Sequence, residues 1–433
     1  MTVKYFLYNT LLKTAVIILS PFFLYKLLTQ KKHRAGFLQK LGFYKNPQKT
    51  QSIWFHAVSV GEVLAAVPLI KKTQKHHHGY RIVVSTVTMT GNRVAKKMVP
   101  EVDEILYFPF DLKFSVARAI RAVNPALCLI LETELWPNYI HQLYKKKIPI
   151  IIVNGRISSR SFKRYTFFSE FMKTLFKQVT LFGMQSEEDA KRVISLGSSP
   201  EKVLVCGNLK YDREVPTFNP DDLLSIKNSV GFSNGAPLLV AGSTHPGEEG
   251  IIIEVYTNLL KTHPELGLLI APRHPEKANV VIHALKKAGL TPLRKTTLQG
   301  KRVSPLKKEV LILDTIGELA RVFAISDIVF VGGSLVPHGG QNILEPASYR
   351  KPVLFGKYMD NFSEISRHMV EAGAGVCVQN KEELYSHIDD LLHHPEKIEM
   401  MGQKGFELIH KNRGALKKCL GLIERGLLHA KQH

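Results

Sequence analysis

At 433 residues, with 45% of them apolar, the chain is too long for one ordinary core and has material for two domains of roughly 150 to 200 residues each. Its 59 Lys and Arg against 37 Asp and Glu leave a net charge of +22, which favours anionic partners such as nucleic acid, anionic lipid headgroups or phosphorylated substrates. The four cysteines, Cys128, Cys206, Cys377 and Cys419, show no CxxC spacing, so neither a zinc site nor a disulfide framework is suggested and a reducing cytosolic compartment fits.

The first element is an apolar run from Tyr5 to Tyr25, YFLYNTLLKTAVIILSPFFLY, about long enough to cross a hydrocarbon core as a helix. KKHR follows at residues 31 to 34. The positive-inside rule keeps those charges in the cytoplasm, so the sequence predicts an uncleaved membrane anchor over residues 1–30 with its N-terminus outside and the rest inside. Lys13 opposes a full crossing, at a cost of about 3 kcal/mol, and leaves an interfacial helix or a buried core helix as the alternatives.

Beyond the basic stretch AGFLQKLGFYKNPQK, short Val- and Ile-rich runs alternate with segments of helical period. SIWFHAVS, YRIVVSTV, EILYFP, ALCLILE, PIIIVNG, LFGMQS and KVLVCGN read as strands of one doubly wound α/β unit, and residues 31–210 are assigned to it. Residues 211–236 lose the pattern and read as a linker with a short helix. Residues 237–433 read as a second such unit, with strands PLLVAGS, LGLLIAPR, GLTPLR, EVLILD, DIVFVGGS, KPVLFG and GAGVCVQ, closing on terminal helices. Twin parallel sheets imply a central cleft, because ligands bind beyond the carboxyl ends of the strands. His76, His77 and His78 end a helix, where a solvated cationic turn is the simpler reading than a metal site.

Three groups in the first unit can carry chemistry. Gly61 permits a tight turn that sets Glu62 at the mouth of a helix, where the dipole favours an ionised carboxylate able to take a proton from a substrate hydroxyl. The alternative is plain first-turn stabilisation. Glu132 and Glu134 end the apolar run ALCLILETELWPN at the carboxyl end of a buried strand, with catalytic and structural roles both open. Lys210, in GNLKYD before the linker, is placed to neutralise a leaving phosphate or is simply a solvated lysine.

In the second unit, Arg273 follows Pro272 just past a strand, where its guanidinium suits a phosphate or carboxylate. Ile316, Gly317 and Glu318 form a turn and helix start with free N–H groups. FVGGSLVPHGGQNILEPASYRKP runs from a strand through two glycine pairs into a helix at Asn342, Ile343, Leu344 and Glu345; its glycines allow close backbone approach to a nucleotide, and the Glu345 carboxylate is placed to accept ribose hydroxyls. Neither a Walker A sequence nor G-x-G-x-x-G is present, and no D-x-D triplet suggests a carboxylate-held metal.

At HAVSVGE, ETELWPN, NGRIS, GNLKYD, APRHPE, IGEL and GGQNILEPA, taken in order, the sequence resembles the 3-deoxy-D-manno-octulosonic acid (Kdo) transferases of lipopolysaccharide assembly over essentially its whole length. The resemblance implies a GT-B-like fold of two Rossmann-type domains, the N-terminal one binding acceptor and the C-terminal one the nucleotide sugar. It implies CMP-Kdo as donor and a tetraacyl lipid A precursor such as lipid IVA as acceptor. Glu62 would be the base of an inverting displacement, Glu132 and Lys210 would stabilise the transition state, and Pro272, Arg273, Ile316 to Glu318 and Asn342 to Glu345 would contact CMP. No cofactor or metal is expected, nor any nucleic-acid partner. The expected location is the cytoplasmic face of the bacterial inner membrane. The closest rival is another GT-B enzyme acting on a UDP-sugar, as transferase or epimerase. A tethered nucleic-acid-binding protein has only the scattered positive charge in its favour.

Overall fold

The computed structural model describes residues 3–30, 34–44, 49–232, 235–298 and 300–431. Lys31, Lys32 and His33, most of the basic cluster expected to orient the N-terminal helix, lie outside these residues. The chain divides into two compact units, residues 1–213 with 412–433, and residues 214–411.

Unit 1 is built on strands β1 (Ser52–His56), β2 (Arg81–Thr86), β3 (Glu104–Tyr107), β4 (Pro125–Leu131), β5 (Ile150–Gly155), β6 (Leu181–Met184) and β7 (Val203–Val205). They pair in parallel in the order β3-β2-β1-β4-β5-β6-β7. Unit 2 carries β8 (Leu238–Thr244), β9 (Gly267–Pro272), β10 (Thr291–Arg294), β11 (Glu309–Ile312), β12 (Ile328–Val331), β13 (Val353–Gly356) and β14 (Gly375–Val378), in the parallel order β10-β11-β9-β8-β12-β13-β14. Every run expected as a strand contains one. The reason is visible in β1 and β4: Ile53, Phe55, Leu127 and Leu129 enter the core on one face of the sheet, Trp54, Cys128 and Ile130 the core on the other. A strand buried on both faces reads as a continuous apolar run while its side chains still alternate. In each sheet the winding direction reverses once, between β1 and β4 and between β8 and β12, and the crevice at such a reversal is where this architecture binds ligands.

Two sequence expectations need correction. Residues 412–433, expected with the terminal helices of the second domain, belong to unit 1. The last helix, Ala415–Lys431, buries Ala415, Cys419, Leu422, Ile423 and Leu427 in the core beneath β1, β4 and β5. The Asp212 carboxylate caps its start, accepting from the N–H groups of Gly414 and Leu416, each at 2.7 Å. An apolar stripe at helical spacing announces a buried face, but not which sheet will cover it. The residues expected as a linker fall with unit 2 from Glu214 onward and hold the helix Pro220–Ser229.

The second correction concerns the helix Val3–Thr29. Its window Lys4–Phe22 is long and apolar enough to cross a membrane, and most of its described large apolar side chains from Leu11 to Leu28 are exposed. Its first turns, however, are docked on unit 1. Tyr5 is fully buried with its hydroxyl 3.2 Å from Gln178, Tyr8 donates to Asp111 at 2.8 Å, and Asn9 exchanges amide hydrogen bonds with Asn138. The segment after the helix returns to the same neighbourhood: Gln39 accepts from the Tyr107 N–H at 2.9 Å, and the Phe110 N–H donates to the Lys40 carbonyl at 2.7 Å. Both flanks of the apolar stretch therefore hold one surface, between Tyr107 and Asn138. A single pass with the N-terminus on the far side of a bilayer would part contacts that are formed here.

Candidate active site

The Ser59 side chain, not Gly61, begins the helix Val60–His76. Its hydroxyl accepts from the Glu62 N–H while the Glu62 carboxylate accepts from the Ser59 N–H, a reciprocal capping box. Gly61 keeps an ordinary backbone and leaves open space where a side chain would be, with nothing nearer than 3.8 Å. The Glu62 carboxylate is 6% exposed and is held by the Val58 N–H at 2.7 Å, the Ser59 hydroxyl at 2.7 Å and the Ser59 N–H at 3.2 Å. Burial nonetheless raises its pKa to about 7 against these hydrogen bonds, and the charges of Glu132 and Glu134 push the same way. The expectation that the helix dipole keeps Glu62 ionised at neutral pH is thus outweighed by desolvation. The result is a carboxylate poised to exchange a proton near pH 7.

Glu132 and Glu134 reach this neighbourhood because β4 is hydrogen-bonded directly to β1. Strand alternation does not govern them, since β4 ends at Leu131 and Glu132 takes a left-handed backbone with φ 54°. That conformation is uncommon for a residue with a side chain and clusters at functional sites. It is fixed by the Glu132 N–H on the Val153 carbonyl at 3.0 Å and, one residue on, by Thr133 bonded to the Arg156 main chain. Pro137 then opens the helix Pro137–Lys145. Burial raises the Glu134 pKa, with Glu132 adding to the shift. The structure thus joins Glu62, Glu132 and Glu134 electrostatically. Lys210 sits in the short helical turn Leu209–Asp212, where the chain after β7 comes back over the sheet: the Leu209 N–H donates to the Asn154 side chain at the end of β5 at 2.9 Å, and Leu209 enters the same core as Val63 and Ala66 of the Glu62 helix. A cavity of about 750 Å³ lined by Lys145, Lys177, Lys202 and Arg425 also touches Pro149 and Thr180, at the amino ends of β5 and β6 and so at the opposite edge of the sheet from these carboxylates.

In unit 2 the residues expected at a nucleotide all lie at carboxyl ends of strands or in the loops that follow. Pro272 ends β9, and the Arg273 N–H donates to the Thr244 carbonyl at 2.9 Å, leaving an exposed guanidinium. Ile316 is 75% exposed, Gly317 has φ 95° with nothing near it, and Glu318 precedes the helix Leu319–Ile325 and accepts from the Thr315 hydroxyl. The Asn342 side chain accepts from the Leu344 N–H at 3.1 Å, and Glu345 lies in the first turn of the helix Leu344–Ser348. Ile343 and Leu344 are buried, so only their main chain is available to a ligand.

The glycine pairs serve the protein's own packing. A Cβ on Gly332 would fall 2.6 Å from the Ser243 carbonyl oxygen, one on Gly339 2.6 Å from Asn361, and Gly333 and Gly340 have φ 68° and 74°. Sequence reasoning missed the residue that shapes this loop. Glu248 is fully buried, and its carboxylate accepts from the N–H groups of Gly333 at 2.6 Å, Ser334 and Leu335 at 2.8 Å and His245 at 3.0 Å. The available signal was a carboxylate in a helix first turn right after a strand, the same pattern that drew notice to Glu62. Among the described residues, His263, Asp389 and His393 form a group able to hold a metal ion, on a different part of unit 2.

Comparison with known proteins places these features in context. Residues 35–213 match the family profile described as 3-Deoxy-D-manno-octulosonic-acid transferase (kdotransferase). The chain is 39% identical over 399 residues to the 3-deoxy-D-manno-octulosonic acid transferase of Haemophilus influenzae, covering 91% of this chain and 92% of that one. It is 29% identical over 425 residues to the enzyme of the same name from Chlamydophila psittaci, covering 97% and 96%. Among solved structures, UDP-GlcNAc 2-epimerase from Neisseria meningitidis bound to UDP-GlcNAc superposes with a TM-score of 0.56 at 14% identity, covering 87% of this chain and 100% of that one, a likeness of fold alone.

Proposed function

The chain belongs to the 3-deoxy-D-manno-octulosonic acid transferase family, and from that premise we propose that it transfers Kdo from CMP-Kdo to a lipid A precursor of the lipid IVA class. An acceptor hydroxyl gives its proton to Glu62 as its oxygen attacks the anomeric carbon from the face opposite the phosphate, so the configuration inverts. The C–O bond to CMP breaks in the same step, positive character grows on the sugar and negative charge on the departing phosphate. Glu132 answers the first and Lys210 with Arg273 the second. Main-chain N–H groups at Ile316 to Glu318, Asn342 and Ile343, with the Glu345 carboxylate, hold the CMP, beside the Leu344 N–H that is given to Asn342. Unit 1 serves the acceptor and unit 2 the donor. No metal is required, because cationic side chains and N–H groups meet the phosphate charge. The exposed apolar helix near the N-terminus keeps the enzyme at the cytoplasmic face of the inner membrane, where a lipid acceptor is found.

The observation that carries this reading is the Glu62 carboxylate, buried after β1 at the reversal point of the sheet with a pKa of about 7, in a chain whose relatives carry the Kdo transferase name. Its test is transfer by detergent-solubilised protein from CMP-Kdo, generated in situ, to lipid IVA, with mass spectrometry of the lipid. Kdo-sized mass increments, absent with Glu62→Ala, are expected. Transfer from UDP-GlcNAc instead, or no increment from a folded protein that binds CMP, would overturn the assignment.

A further inference from the structure

Around the end of β8, unit 2 gathers imidazoles that have no role in the account above. The His245 ring stacks on His338 with centroids 4.2 Å apart and planes at 20°, and stands edge-on to His274 at 6.2 Å and 89°. Its Nε2 lies 3.3 Å from the Gln341 side-chain nitrogen. With the amide nitrogen donating to Nε2, the neutral ring carries its proton on Nδ1 and offers it as a donor. The three rings come from loops after three different strands, β8, β9 and β12, and those loops are firmly held. Glu248 ties the His245 N–H to the Gly333–Leu335 loop, and the Arg273 N–H ties the end of β9 to Thr244.

Packing imidazoles, a guanidinium and an ammonium together carries an electrostatic cost. Burial first, then His338, His274, Arg273 and Lys277, lower the His245 pKa to about 4. The carboxylates on the neighbouring elements do little to offset them: Glu248 is engaged with main-chain N–H groups, Glu249 accepts from Thr244 at 3.2 Å, and Glu276 pairs at the exposed edge with His274 at 3.3 Å. A cluster of donors and cations whose neighbouring carboxylates among the described residues are already engaged is what an anionic ligand rewards.

The proposed donor offers two anions rather than one. In a CMP-activated 2-keto sugar acid, the carboxylate and the phosphate-bearing oxygen are attached to the same carbon. Such a donor needs two anion receptors side by side, whereas a UDP-hexose needs only the one for phosphate. β8 and β9 are hydrogen-bonded neighbours, so His245 and Arg273 leave their strands about 4.8 Å apart. We propose that His245, flanked by His338 and Gln341, receives the carboxylate of the transferred sugar while Arg273 receives the phosphate, making His245 the residue that selects ulosonic acid donors; this rests on the reading of the donor as CMP-Kdo.

The test titrates the full-length protein in detergent with CMP and with a non-transferable CMP-linked ulosonic acid whose labile C–O–P linkage is replaced by a C-glycosidic one. The wild type is expected to bind the conjugate at least about tenfold more tightly than CMP. His245→Ala should abolish that difference and leave CMP affinity within about twofold. Gln341→Ala, which frees the imidazole without removing it, should reduce the difference partly and guards against misfolding of the first variant. Equal loss of CMP and conjugate binding in folded His245→Ala, or loss of neither, would overturn the carboxylate role while leaving the donor standing. A wild-type protein that binds UMP but neither CMP ligand would refute the donor reading, and this proposal with it.

Discussion

Glu62 shows how one side chain can satisfy a structural rule and still be set up for chemistry. The capping box accounts for its position, but a surface cap would keep its carboxylate near the usual 4.5, and burial beside Glu132 and Glu134 raises it to about 7. A base works only when ionised, so kcat/KM should climb with pH through about 7 and level off above it. Glu62→Gln should lose about 100-fold or more of the rate and retain the fold. The linkage runs the other way for stability. Because the folded pKa lies above the unfolded one, the unfolded chain releases this proton first, and stability falls as pH rises from about 4.5 to about 7. Urea denaturation of wild type and Glu62→Gln at pH 5 and pH 8 measures this; the variant should gain relative to wild type at pH 8, and a gain at pH 5 instead would contradict the shift. Glu248 makes the complementary case. Replacing it by Ala strands four main-chain N–H groups, so unit 2 should lose at least about 3 kcal/mol, with faster hydrogen exchange at Gly333 to Leu335; a loss below about 1 kcal/mol would mean that the loop has other support.

The N-terminal helix is where local sequence and tertiary contact disagree. Its composition is apolar around the whole circumference, which by itself argues for a crossing helix. Tyr5, Tyr8 and Asn9 nevertheless dock on the same unit as the segment that follows the helix, so on the proposed membrane-associated reading both ends of the apolar stretch lie on one side of the bilayer. A reporter that is active only in the cytoplasm, fused before residue 1, should be active, and one that needs export should be silent. The reverse pattern would restore the single pass. Tyr8→Phe with Asn9→Ala should loosen the docked turns without releasing the protein from membranes, because the exposed Leu and Ile side chains between Leu11 and Leu28 are untouched.

At the scale of the molecule, the chain leaves unit 1 near Arg213 and returns to it at Asn412, so unit 2 is a continuous insertion into a discontinuous unit. Residues 214–411 should therefore unfold as one cooperative transition when expressed alone. Residues 1–213 alone should not, since the core beneath β1, β4 and β5 loses Cys419, Leu422, Ile423 and Leu427; supplying the peptide 412–433 should recover its transition in calorimetry. The sequence by itself determined what is local: fourteen strands written as short Val- and Ile-rich runs, the division near residue 210, and the loops after those strands as the place for Glu62, Glu132, Lys210, Arg273 and Glu345. Such features are legible because apolar period and strand-to-loop punctuation act between near neighbours. Only the tertiary structure decided the rest. The pKa of Glu62, the sheet that covers the last helix, the same-side flanks of the first helix and the meeting of His245, His274 and His338 each depend on segments tens to hundreds of residues apart, and desolvation and packing between such segments leave no mark in local sequence.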